Sequence, residues 1–216
     1  MIGVVLADDE SMMRAGVRAI VTADPQITVL GEAADGHQAL AQVVRHRPQV
    51  ALFDIRMPRM DGLAAAARVR EQVPETALVM LTLFGEDAYI AAALEMGVSG
   101  FVLKTGDPGD LMAAVRAAAD GGAFLSPPVA RRVLDHLDGT RSHAARERVG
   151  ALSPREREVL ALIGQGLTNT LIAQRLGLAP STVKTHVDAV RARLGVRTRV
   201  QAALVAYDAG LLHTDP

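Results

Sequence analysis

The chain has 216 residues, half of them apolar, no cysteine and a formal net charge of −1. That length suits one or two ordinary domains; the missing cysteine excludes a disulfide scaffold and a Cys-based zinc site, and no apolar run approaches the roughly 20 residues of a membrane helix. Residues 1–130 carry 10 Lys/Arg against 16 Asp/Glu and residues 131–216 carry 13 against 8, an acidic front and a basic back, as expected of a sensor joined to a polyanion-binding tail.

Through the first 120 residues, short apolar runs alternate with helix-length amphipathic stretches. The runs 2–7, 27–31, 50–53, 77–83 and 98–103 read as strands, and 11–23, 36–46, 62–72, 86–96 and 108–120 read as helices. This order predicts an α/β domain at 1–120, a doubly wound five-stranded parallel sheet covered on both faces. Residues 121–149 read as a linker, punctuated by Gly121-Gly122, Pro127-Pro128 and a break at 139–143, with a short helix at 129–137. From 150 to 216 the pattern is all-α. Ser153, Pro154 and Glu156 predict a capped helix start, and helices near 169–176 and 181–194, separated by Gly177 to Pro180, have helix-turn-helix spacing. A last helix covers roughly 198–209. The start of the chain has no basic segment leading into a signal-like apolar run, so a cytoplasmic protein with no membrane association is expected.

Asp54 closes the apolar run Val50 to Phe53. A carboxylate there is either a metal ligand or a covalent acceptor. Asp8-Asp9 and Lys104 follow two other strands, and function in such sheets gathers at the carboxyl ends of the strands. Three carboxylates at one sheet edge repel one another and call for a cation, for which oxygen ligands suit Mg²⁺. The expected ligands are Asp9 and Asp54 directly, Asp8 through water and the Arg56 backbone carbonyl, with the Arg56 side chain pointing elsewhere. Asp54 then serves as nucleophile toward a phosphoryl donor, and Mg²⁺ and Lys104 offset charge on the transferring oxygens. Thr82 is placed to donate its hydroxyl to a phosphoryl oxygen, and Phe101 to report occupancy of the pocket.

On these residues the chain resembles the two-component response regulators of the NarL/FixJ (LuxR-type helix-turn-helix) family. The motifs are Asp8-Asp9, Asp54 to Pro58 with Gly62, Thr82, and Phe101 to Lys104, then Leu152 to Leu160 and Thr182 to Val187. The resemblance implies a flavodoxin-like receiver at 1–120 and a DNA-binding domain from 150. It further implies that a sensor histidine kinase passes its phosphoryl group to Asp54 in a Mg²⁺-requiring reaction that the receiver helps catalyse, with later hydrolysis as its only other chemistry. Thr82 and Phe101 then shift, remodelling the face around the fourth helix and fifth strand; Phe101 lacks the hydroxyl that a tyrosine would offer. Two other readings compete: a phosphorylation-independent regulator with the same tail, and a Mg²⁺-dependent phosphatase on the same sheet. The complete acidic pocket disfavours the first, and the second domain disfavours the other.

The helix at 181–194 presents Lys184, Thr185 and Asp188 over one turn, with Arg191 following. A helix in the major groove of double-stranded DNA reads base edges with a few such side chains while its neighbours hold phosphates. Lys184 and Thr185 are expected to touch bases or backbone. Asp188 either accepts from a cytosine or is held by a nearby arginine. Arg191, Arg193, Arg197 and Arg199 are phosphate candidates. Leu171 stands where the family carries the Glu of a capping box, a loss of up to about 1 kcal/mol. On the last helix Ala202, Ala203, Val205 and Ala206 form a small apolar stripe, readable as intradomain core or, as the resemblance implies, as a homodimer surface.

Overall fold

The computed structural model describes residues 1–83, 89, 92–93, 96–126, 129–130 and 142–211. One parallel sheet runs in the order β2-β1-β3-β4-β5-β6, with β1 Ile2–Ala7, β2 Ile27–Ala33, β3 Val50–Asp54, β4 Ala77–Thr82, β5 Gly100–Leu103 and β6 Phe124–Leu125. The first five are the expected strands. The sixth lies in what reads from sequence as linker. It is two residues long, too short for any alternation to register, and it exists because the outer edge of β5 has bonds to give: Phe124 N donates to Ser99 O and Ser126 N to Phe101 O, both at 3.0 Å.

Period-two alternation divides the strands between two cores. Val4, Leu6, Val50, Leu52, Val79, Leu81 and Val102 face one side, where α1 (Ser11–Thr22) and α4 (Pro108–Ala119) cover them. Val5, Ala7, Ala51, Phe53, Leu78, Met80 and Phe101 face the other, under α2 (Gly36–His46) and α3 (Gly62–Gln72). Over β1, β3 and β4 both faces are dry, which is why those runs read as continuously apolar. Asp35, Asp61 and Asp107 cap α2, α3 and α4 by accepting from Gln38, Ala64 and Gly109 N–H groups. Most of the helix expected at 86–96, and of the short helix expected at 129–137, lies outside the described residues.

The second domain comprises α5 (Ser142–Gly150), α6 (Pro154–Gly164), α7 (Asn169–Leu176), α8 (Pro180–Leu194) and α9 (Arg199–Asp208). Helix α5 begins inside the expected break. Ala145 and Val149, one turn apart, bury themselves against the domain core, and that packing outweighs a locally unpromising sequence. At α6 the capping box is complete: Glu156 N donates to Ser153 Oγ at 3.3 Å and Ser153 N to Glu156 Oε2 at 2.9 Å. Gly177, at φ +64°, takes the left-handed turn that starts the crossing from α7 to α8. Val183, Val187, Val190 and Leu194 form the buried stripe of α8. The stripe on α9 is also interior, since Ala202, Val205 and Ala206 are buried in the same core; of that helix's large apolar side chains, Tyr207 is the exposed one. No helix among the described residues is long and apolar enough to cross a membrane.

Candidate functional site

The strand order steps outward from β1 to β2 on one side and to β3 on the other, so the crevice at the carboxyl ends of β1 and β3 is the switch point of the sheet. Asp8 and Asp9 follow β1 and Asp54 ends β3, and carboxylate oxygens of all three lie within 4.8 Å of one another. This group can hold a divalent cation. Lys104, just past β5, reaches back across the sheet edge. Its Nζ is 2.7 Å from Asp8 Oδ2 and 2.9 Å from Asp54 Oδ1, and the lysine side chain is 1 % exposed. The pieces are held from the backbone as well: Asp8 N donates to Ala33 O, Ile55 N to Leu81 O, Gly62 N to Ile55 O and Lys104 N to Thr82 O.

Burial raises the Asp54 carboxyl above the usual range, the charges of Asp8 and Asp9 add to that, and the bond and charge of Lys104 work against it. For Lys104, burial pulls the other way from its two carboxylate partners; the partners prevail and its affinity for the proton is raised. The lysine therefore remains a cation and Asp54 keeps one oxygen occupied by it. Thr82, buried at the end of β4, sits one residue beyond the position paired with Asp54. Phe101 is fully buried, paired with Met80 on one side and Leu125 on the other. The Arg56 guanidinium lies 5.6 Å from the centre of the Tyr89 ring, a cation–π distance.

On the second domain, Lys184, Thr185 and Asp188 are exposed on α8, opposite its buried valines. Thr185 Oγ1 donates to Ser181 O at 3.2 Å, and Asp188 Oδ1 is 3.3 Å from Arg191 Nη1. Arg193 pairs with Glu156 at 2.9 Å, tying α8 to the start of α6. Arg199 differs most from its expected role. It is 8 % exposed, and its guanidinium donates to Asn169 Oδ1 at 2.7 Å and to the carbonyls of Leu167 and Gly121. Burial pushes it down to about 10, opposed by Asp120, and its donors are occupied inside the protein.

Those bonds belong to a junction between the domains that sequence reading did not find. Asp120 Oδ1 accepts from Thr170 Oγ1 at 2.9 Å and its Oδ2 from Thr170 N at 3.2 Å, an acid at the N-terminus of α7. Val200 joins the receiver core. Arg70 donates to Gly97 O, close to Thr198. Lys184, Arg191 and Arg197 line a cleft of about 440 Å³ facing the receiver. The only sequence sign of this was an acid preceding Gly121-Gly122, which is too common to point anywhere.

Two family models match the chain in this order: the response regulator receiver domain over residues 4–116 and the bacterial regulatory proteins of the luxR family over 150–206. The chain is 36 % identical over 201 residues to the nitrate/nitrite response regulator protein NarL of Escherichia coli K12, covering 93 % of each. It is 36 % identical over 207 residues to the transcriptional regulatory protein LiaR of Bacillus subtilis, covering 96 % of this chain and 97 % of that one. Among solved structures, the RcsB–DNA complex superposes with a TM-score of 0.59 at 26 % identity, over 96 % of this chain and 98 % of that one. With the acidic pocket on its sheet edge and the helix-turn-helix behind it, the chain belongs to the NarL/FixJ-type, LuxR-helix-turn-helix family of two-component response regulators.

Proposed function

We propose that this response regulator takes a phosphoryl group from a sensor histidine kinase onto Asp54 and thereby controls dimerisation, DNA binding and transcription in the cytoplasm. The observation that carries this reading is the buried Lys104 shared between Asp8 and Asp54 at the switch point of the sheet. It leaves the second oxygen of Asp54 to attack phosphorus. The bond from Asp54 oxygen to phosphorus forms as the phosphorus–nitrogen bond to the kinase imidazole breaks, and the imidazole leaves with a proton from solvent. Asp9, Asp54 and the Arg56 carbonyl, with Asp8 through water, would hold Mg²⁺, which would supply charge neutralisation for the transferring oxygens. Lys104 takes a share of that charge from the other side, and Thr82 donates its hydroxyl to the attached group. Phe101 then contributes through packing alone.

The output is read by α8. Lys184 and Thr185 are its base- or backbone-contacting residues, with Arg191, Arg193 and Arg197 as neighbours for phosphates; Arg199 enters this reading as a residue of the domain junction. Support comes from the RcsB–DNA complex among the structural relatives and from the exposure of Lys184 and Thr185 on the face opposite the core. Phosphorylation acts by releasing α8 from the cleft it shares with the receiver.

Incubation with a small phosphodonor and Mg²⁺ is expected to add one phosphoryl group to the intact mass, and Asp54→Asn to abolish the addition. Label persisting in that variant would move the acceptor elsewhere. Lys184→Ala is expected to weaken DNA binding and to reduce the slope of log affinity against log salt by about 1. Binding isotherms at several salt concentrations measure both, and an unchanged slope would remove Lys184 from the phosphate contacts.

A further inference from the structure

We propose that the cleft between the receiver and α8 binds a compact polyphosphate, the chemistry shared by a nucleoside triphosphate and inorganic triphosphate, and that the bound anion holds the domains together. Its volume of about 440 Å³ is that of a small-ligand pocket and is too small for a DNA duplex. Its walls carry Arg70 from the receiver and Lys184, Arg191 and Arg197 from the second domain; Arg199 also lines it, but its guanidinium is already held by Asn169 and the carbonyls of Leu167 and Gly121.

Two acids face the same space, Glu75 and Asp120, and both are engaged. Glu75 pairs with Arg47 at 2.7 Å, and Asp120 holds the hydroxyl and the backbone N–H of Thr170. Among the described residues Lys184 and Arg197 have no acidic partner. Arg191 has Asp188, but its Nε is enclosed and finds no acceptor. Burial holds the Arg70 guanidinium below the usual arginine range, and the charges of Arg191 and Arg197 push it the same way. Like charges from two domains thus share one partly desolvated space, which is unfavourable until an anion enters. A chain of phosphates complements it well, because successive oxygens accept charge-assisted bonds from several guanidinium groups at once.

Such a ligand touches residues on both domains. It excludes DNA by occupying Lys184 and Arg191, and it does so only while Arg70 completes the other wall. By linkage, the anion and DNA weaken each other's binding by the same factor. This regulation goes beyond phosphorylation of Asp54 and is separable from it.

The test uses the full chain in buffer free of divalent cations, titrated calorimetrically with inorganic triphosphate and, separately, with ATP. One equivalent of each is expected to bind, and triphosphate is expected to displace duplex DNA. Arg70→Gln should weaken triphosphate binding about tenfold, the loss of one charge-assisted contact, and should bind DNA as the wild type does while resisting displacement. Arg70→Lys, which keeps the charge, should retain most of the affinity, and thermal melts establish that both variants fold. ATP binding more tightly than triphosphate would mean that the nucleoside is also recognised; equal affinities would identify the phosphate chain as the whole ligand. If Arg70→Gln bound triphosphate as tightly as the wild type, the anion would sit on the DNA-reading face alone and the proposal would fail. It would fail equally if neither probe bound. Asp54→Asn should bind triphosphate normally, so loss there would locate the anion at the acidic pocket and overturn the proposal without touching the phosphoacceptor reading.

Discussion

Gly62→Ala is expected to destabilise the receiver by about 3 kcal/mol, near the top of the range for overpacked sites, and to slow phosphorylation of Asp54. Gly62 is the first residue of α3 and lies against the chain it must serve. A Cβ there would fall on the Asp54 carbonyl oxygen, 2.9 Å from the Asp54 carbonyl carbon and 3.1 Å from Ile55 Cα. All three are backbone atoms, so no rotamer change can make room. The Gly62 N–H also donates to Ile55 O at 2.8 Å, and separating the two segments would strain that bond as well. The relief available is a shift of the loop carrying the acceptor, and a displacement of about 1 Å at a reacting group can cost on the order of a hundredfold in rate. Urea titration and a phosphodonor time course measure the two effects. Wild-type behaviour in both would show that the loop is far softer than its hydrogen bonding suggests.

Lys104→Met is expected to destabilise the protein by about 3–5 kcal/mol at neutral pH, because it removes the cation from two buried carboxylates and leaves them unpaired. The loss should depend on pH in a definite direction. Burial and the neighbouring aspartates already raise Asp54, and Lys104 is what opposes them. Without the lysine the carboxyl rises further above its unfolded value of about 4. A group raised in the folded state contributes stability that is present below the unfolded value and lost as pH climbs through the folded one. The variant should therefore lie closest to the wild type near pH 4–5 and furthest from it at pH 7–8. Millimolar Mg²⁺ should restore part of the difference at neutral pH by supplying the missing charge. Urea titrations across this range, with and without Mg²⁺, provide the readout; a gap independent of pH would mean that Lys104 acts by packing and not by charge.

How much of this was legible beforehand follows from the distance over which each residue's role is decided. Strands β1, β3 and β4 were readable because both faces are buried, so every position in 50–53 or 77–81 had to be apolar. Asp8, Asp9, Asp54 and Lys104 were readable because a charged residue directly after such a run is placed by the strand itself, and the sheet brings those ends together. The start of α6 was readable from Ser153, Pro154 and Glu156, a motif that satisfies its own hydrogen bonds. In each case the cause lies within a few residues.

Where the cause is a distant surface, the reading stopped short. Phe124 and Leu125 become a strand only because β5 offers an edge. Ala145 and Val149 make a helix of a stretch that looked like a break because a core formed by α6, α8 and α9 receives them. Ala202, Val205 and Ala206 had two equal readings, and the packing of α9 into its own domain chose the interior one. Arg199 looked like its neighbours Arg193 and Arg197, yet Asn169 and the carbonyls of Leu167 and Gly121 claim it. The local pattern was sufficient for the two domains, their order and the acidic pocket, since strand periodicity and helix caps act over short stretches of chain. The junction through Asp120 and Thr170, and the cleft that joins Arg70 to Lys184 and Arg191, arise only when two finished surfaces meet, because long-range contacts between separately folded units leave no periodic trace in either one.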